Sequence, residues 1–175
     1  MSEANLDAKY IQMTQTPVES LICRLAVPTI ISNLITTFYN MADTFFIGKI
    51  STSASGAVGI AFAVMAAIQA VGFFFGQGSG NNISRLLGRQ ETDKAERLAA
   101  VGFYSALIGG ALIAATGLIF LKPLCILLGS TETILPYAMD YLKFILIGAP
   151  YMAASLVLNN QLRFEGSAFY GMIGL

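Results

Sequence analysis

Along the chain, uncharged stretches that are apolar at most positions alternate with short segments where charges and turn formers cluster. Runs free of Asp, Glu, Lys and Arg occupy 25–42, 50–84, 98–121, 144–162 and 166–175. A helix needs about 20 mostly apolar residues to cross a bilayer, so the first, third and fourth runs each supply one span. The second run has 35 residues, about 52 Å as helix, which is too long for one crossing and short for two. Its opening, Ser51-Thr52-Ser53-Ala54-Ser55-Gly56, reads as loop. The last run holds half a span. The pattern therefore predicts helices at about 17–48, 57–80, 94–121 and 133–160, with a fifth beginning near 167 and a polar tail over 1–15. These elements define an all-α integral membrane protein.

Local signals sharpen these limits. Thr16-Pro17-Val18-Glu19 has the form of a capping box with Pro at the first helical position. Asp93-Lys94-Ala95-Glu96 can cap the third helix, and Lys122-Pro123 closes it. Pro28 and Pro150 fall inside helices one and four and are kink positions.

Composition agrees with the pattern. The chain has 175 residues, 55% hydrophobic and 11% charged, with mean hydropathy +0.68. A soluble domain carries about 25% charged residues, so this chain lacks the charge to clothe a soluble surface. Ten Lys and Arg balance ten Asp and Glu, leaving no basic excess for a phosphate backbone, so nucleic acid is not an expected partner. Histidine is absent. No Ser/His/Asp set, metal cluster or paired-carboxylate site can be assembled, and Gly76-Gln77-Gly78-Ser79-Gly80 lacks the Gly-Lys-Ser/Thr ending of a phosphate loop. The expectation is no enzyme and no cofactor. Cys23 and Cys125 belong to no motif and fall near opposite faces of the bilayer.

Basic residues orient the chain. With the N-terminus inside, the inner side carries Lys9, Arg24, Arg85, Arg89, Lys94, Arg97 and Arg163, against Lys49, Lys122 and Lys143 outside. The 81–97 segment decides the matter, and the expected location is the plasma (inner) membrane, multi-pass, with a cytoplasmic N-terminus.

The first helix carries the candidate chemistry. Asn33, Thr36, Thr37, Asn40, Asp43 and Thr44 recur at three- and four-residue steps and share a face, with Tyr39 one turn before Asp43 at its edge. Such a stripe is unfavourable against lipid and belongs in a bundle interior or a water-filled cavity. Asp43, the acid inside this helix, suits exchange of a proton for another cation; alternatively it is an interfacial residue paired with Lys49, six positions on. Gly72, Gly76 and Gly80 on helix two, and Gly102, Ala106, Gly110 and Ala114 on helix three, are faces for close helix packing. Asp140 and Lys143 read as a surface ion pair, and Gln69 and Gln77 as cavity-lining or helix-bonding amides.

Three segments resemble the multidrug and toxic compound extrusion (MATE) family. They are Leu25-Ala26-Val27-Pro28 followed by Met41-Ala42-Asp43-Thr44-Phe45-Phe46-Ile47-Gly48; Asn82-Ile83-Ser84-Arg85-Leu86-Leu87-Gly88; and Leu162-Arg163-Phe164-Glu165-Gly166. The resemblance runs from about residue 16 to the end. It implies part of a six-helix bundle within a twelve-helix transporter whose two bundles are related by pseudo-symmetry. Such a protein exports cationic or amphipathic organic compounds in exchange for Na⁺ or H⁺ by alternating access. Asp43 would be the cation-coupling acid, and a ligand to Na⁺ where that is the ion. Tyr39 would be its neighbour in the site, Thr36, Asn40 and Asn33 the cavity-lining stripe, and Pro28 the conformational kink. The implied partners are small organic substrates and the lipid bilayer.

The chain departs from the family by stopping in the fifth helix. The family's further ligands there, an Asn and an Asp, would lie beyond Leu175. The expectation is a partial record or a truncated frame that needs the C-terminal helices of the same protein or a partner chain. Two other readings follow from the sequence. One is a lipid or oligosaccharide-lipid flippase of the same superfamily, disfavoured by the absence of buried Lys and Arg within the spans. The other is a non-transporting truncated protein that acts as a helix-packing partner.

Overall fold

The computed structural model describes residues 15–49 and 51–173, together with residue 11. The tail expected over 1–15 falls almost wholly outside the described residues. The elements are α1 (Val18–Gly48), α2 (Thr52–Gly88), α3 (Thr92–Ile119), α4 (Leu121–Leu127), α5 (Leu135–Phe164) and α6 (Ala168–Ile173). Among the described residues there is no strand. Four helices, α1, α2, α3 and α5, are long and apolar enough to cross a membrane.

Several helix limits differ from the sequence expectation, each for a local reason. α2 is much longer than 57–80. Its Ser-rich opening is absorbed into the helix because Ser51 Oγ accepts the Ala54 N–H at 3.0 Å, and the Ser55 hydroxyl returns to the Ser51 carbonyl. At the other end the helix runs on to Gly88, past the point where charges reappear. Lys122-Pro123 does not simply close the third span. The chain breaks at Phe120 and restarts as α4, where Pro123 sits in the first turn and needs no N–H donor. Pro17 precedes the first helical residue, and Thr16 makes no capping bond. At α3 the capping position is Glu91, whose carboxylate meets Lys94 Nζ at 2.6 Å and does not cap the backbone. Asp140 and Lys143 form no ion pair.

Lys94 holds the Glu91 carboxyl below the usual carboxylate range. That contribution is present above the ordinary carboxylate pKa and fades as pH falls through the lowered one. Because the pair is solvated, Glu91→Gln should leave the thermal midpoint unchanged, as a melting curve in detergent would record.

Three spans form the packed unit. Ala61 and Ile68 of α2, Ala106 of α3, and Leu142, Leu146 and Ala153 of α5 are fully buried in one core. Small residues let the helices approach. A Cβ on Gly72 would stand 2.9 Å from Leu156 Cβ, and one on Gly117 would stand 2.6 Å from Leu146 Cδ2. The glycine faces are therefore packing seams. α1 is different. Its single buried residue is Ser32, and it lies against α2 and the short α6.

Candidate functional site

The polar stripe of α1 divides when its contacts are followed. The Thr36 hydroxyl donates to the Ser32 carbonyl at 3.0 Å, Thr37 to Asn33 at 2.8 Å and Thr44 to Asn40 at 2.9 Å. These hydroxyls are satisfied by their own helix one turn back, so they need no partner from another helix. Asn33 and Thr36 are exposed and lie outside the cleft described next. Their expected cavity-lining role has no counterpart in this cleft, because α1 reaches its neighbours there only around Tyr39, Asn40 and Asp43.

Nearer its C-terminal end, α1 meets α2 and α5 around a cleft of about 170 Å³. α1 supplies Tyr39, Asn40 and Asp43; α2 supplies Val58, Phe62 and Met65; α5 supplies Tyr141 and Ile145. The Tyr141 hydroxyl donates to Asp43 Oδ2 at 3.2 Å. This bond ties α1 to α5 across 98 positions of chain. Lys49 takes no part in it, since its Nζ stands 4.5 Å over the Phe45 ring. The interfacial Asp43–Lys49 pair therefore does not form, and the carboxylate faces into the cleft. Pro28 lies about four turns before Asp43 on the same helix, which runs unbroken through it.

Oxygen donors dominate the polar side of the cleft: one carboxylate, one amide and two phenols. That set suits a hard monovalent cation, which prefers oxygen to sulfur ligands, and its carboxylate can also take a proton. Among the described residues, no three His, Cys, Asp or Glu side chains cluster to hold a metal. The α2 side of the cleft is apolar, formed by Val58, Phe62 and Met65.

Sequence reasoning did not single out Tyr141. A signal was available, because a phenol in an apolar span needs a hydrogen-bond partner, but nothing in the chain order says that the partner is Asp43. Reasoning also passed over Asn159, Asn160 and Gln161, three consecutive buried amides near the C-terminal end of α5. Gln69 is half-buried and Gln77 exposed.

Comparison with known proteins matches this architecture to a described one. The MatE family profile matches residues 28–174. The FAD transporter of Shewanella oneidensis is 30% identical over 154 residues, which is 88% of this chain and 34% of that protein. The multidrug export protein MepA of Staphylococcus haemolyticus is 28% identical over 170 residues, covering 97% of this chain and 38% of that one. An outward-facing multidrug resistance MATE family transporter of the MOP superfamily superposes with a TM-score of 0.86 at 28% identity, over 93% of this chain and 36% of that one. The chain spans about a third of the length of these relatives.

Proposed function

Because the chain belongs to the MatE family of multi-pass membrane transporters, which are not enzymes, we propose that it serves in secondary active export of cationic or amphipathic organic compounds. Export is coupled to entry of Na⁺ or H⁺ at Asp43. The observation that carries this reading is the Asp43 carboxylate inside the three-helix cleft, bonded to Tyr141 and released from Lys49. An acid held there by a neutral phenol can take up and release a cation without breaking an ion pair. The multidrug export proteins among its relatives support the same substrate class. Seven basic residues against three support a cytoplasmic N-terminus, in a plasma or inner membrane. The chain provides one part of such a transporter, so the full cycle is a property of the assembly in which these helices work.

The test is efflux of a fluorescent organic cation from vesicles containing the protein, driven by an imposed proton or sodium gradient. One of the two gradients should drive efflux, and the matching ionophore should abolish it. Indifference to both would end the coupling reading. A second reading rests on the FAD transporter among the relatives, in which the exported solute is a flavin nucleotide; replacing the dye by FAD in the same vesicles decides between them.

Tyr141→Phe removes the cross-helix bond and leaves the ring. Loss of a hydrogen bond to a charged group is worth about 1.5 kcal/mol or more, so gradient-driven efflux should fall about tenfold with protein abundance in the membrane unchanged. Equal efflux from the variant would mean that the phenol only fills space.

A further inference from the structure

The inner half of the bundle contains a polar junction that the coupling site does not use. Gln161 on α5 is 3% exposed. Its Nε2 donates to Ser79 Oγ on α2 at 3.0 Å and to the Ala99 carbonyl on α3 at 3.1 Å. Ser79 passes its own proton to the Phe75 carbonyl at 2.6 Å. One side chain thus binds two other helices, and each of its amide protons has its own acceptor. The three helices crowd around it. A Cβ on Gly102 would stand 2.7 Å from Ser79 Oγ and 2.9 Å from Gln161 Nε2. Beside it, Gly76 and Gly80, about a turn apart on α2, pack on Asn160 and Phe164 of α5.

A buried amide that met no partner would be costly in this setting, so separating any two of these helices at the junction leaves donors or acceptors unpaired. Among the described residues α1 has no comparable tie. Its threonines are bonded within the helix, one of its residues is buried, and among the described residues its side-chain bond to the rest of the bundle is the one from Tyr141.

We propose that Gln161 is a positioning residue that clasps the inner ends of α2, α3 and α5, so that these three spans move as one body while α1 shifts against them. The bistable element is then the seam between α1 and this body. The three-helix interior stays closed throughout. The proposal rests on the transport reading only for its meaning in the cycle; the clasp itself is a statement about which distances change.

Distances between spin-label pairs test it in the intact protein in lipid nanodiscs, with and without sodium and at acid and alkaline pH. Labels at the exposed Asn81→Cys, Ala100→Cys and Leu158→Cys report on α2, α3 and α5, in a background where Cys23→Ser and Cys125→Ala remove the native thiols. Native Cys23, which is exposed, restores a label on α1. Distances among 81, 100 and 158 should stay fixed in every condition. The 23–158 distance should move by more than about 2 Å, the scale of a domain rearrangement.

Gln161→Met keeps the volume and removes both donors. It should let the 81–158 and 100–158 distances spread or shift by more than about 2 Å. Ser79→Ala, a milder change that retains the Ala99 bond, should loosen 81–158 alone. If Gln161→Met and Ser79→Ala leave both distances as they are, Gln161 is not a clasp. Movement within the three-helix set as large as that of 23–158 in the unmodified protein would equally overturn the proposal. These readouts need no transport, so they stand apart from failure of the efflux assay.

Discussion

Asp43→Asn should reduce gradient-driven efflux by about two orders of magnitude, to the leak of empty vesicles, without reducing the amount of protein in the membrane. The size follows from what the carboxylate does. Coupling requires a group that changes its charge or its ion occupancy between the two halves of the cycle; an amide cannot take up a proton, and as a neutral ligand it holds Na⁺ far more weakly than a carboxylate does. If that exchange is lost, about 2.7 kcal/mol of driving interaction disappears for each hundredfold in rate. The fold should survive. Asn accepts the Tyr141 hydroxyl as Asp does, at the same position along α1, and a neutral amide costs less than an ionised acid inside a span. Efflux and membrane abundance measured on one preparation separate the two effects. Undiminished efflux would return Asp43 to an interfacial role. That role is already disfavoured by the position of Lys49, whose charge rests on the Phe45 ring.

The membrane class was legible because it depends on composition and on the lengths of uncharged runs, which the bilayer itself imposes. The four spans follow from those runs. Their limits were less legible, and α2 shows why: a run of Ser, Thr and Gly signals loop by composition, yet the Ser51 side chain caps the first turn and the helix simply starts there. Asp43 was visible on its own, since an acid within an apolar helix needs a reason to be there. Its surroundings were not. Helical periodicity places Asn33, Thr36 and Asn40 on one face together, whereas where that helix meets α2 and α5 decides that Asn40 borders the cleft and the other two do not. Tyr141 and Gln161 make the same point from the partner side. Each acts through a residue between 62 and 98 positions away, and pairing over that range is set by packing, which a single sequence does not reveal. The glycine repeats were the exception. Their spacing announced close approach, and the contacts at Gly72, Gly76 and Gly102 are of that kind.

The strongest expected stability effect lies at one of those glycines. A Cβ added at Gly110 would come 2.7 Å from Pro150 Cα, 2.9 Å from the Ala149 carbonyl oxygen and 3.1 Å from the Pro150 nitrogen. All three are backbone atoms, so no rotamer change relieves the contact and α3 must move away from α5. The proline explains the closeness. Pro150 has no N–H to bond one turn back, which is tolerated in a membrane helix when neighbouring helices pack tightly against the gap. Gly110 supplies that neighbour. Overpacking of a tight interior costs about 1–3 kcal/mol, and a backbone contact belongs at the upper end. Gly110→Ala should therefore lower the thermal midpoint by about 5 °C or more, at about 2–4 °C per kcal/mol for a chain of this size. Gly59 is the control, because nothing stands within 4 Å of a Cβ placed there. At that position alanine adds helix propensity worth up to about 1 kcal/mol, and Gly59→Ala should raise the midpoint slightly. Opposite signs for one substitution at two helical glycines distinguish packing from propensity, since propensity alone would stabilise both. A Gly110→Ala protein that melts with or above the parent would mean that α3 and α5 do not cross at Pro150.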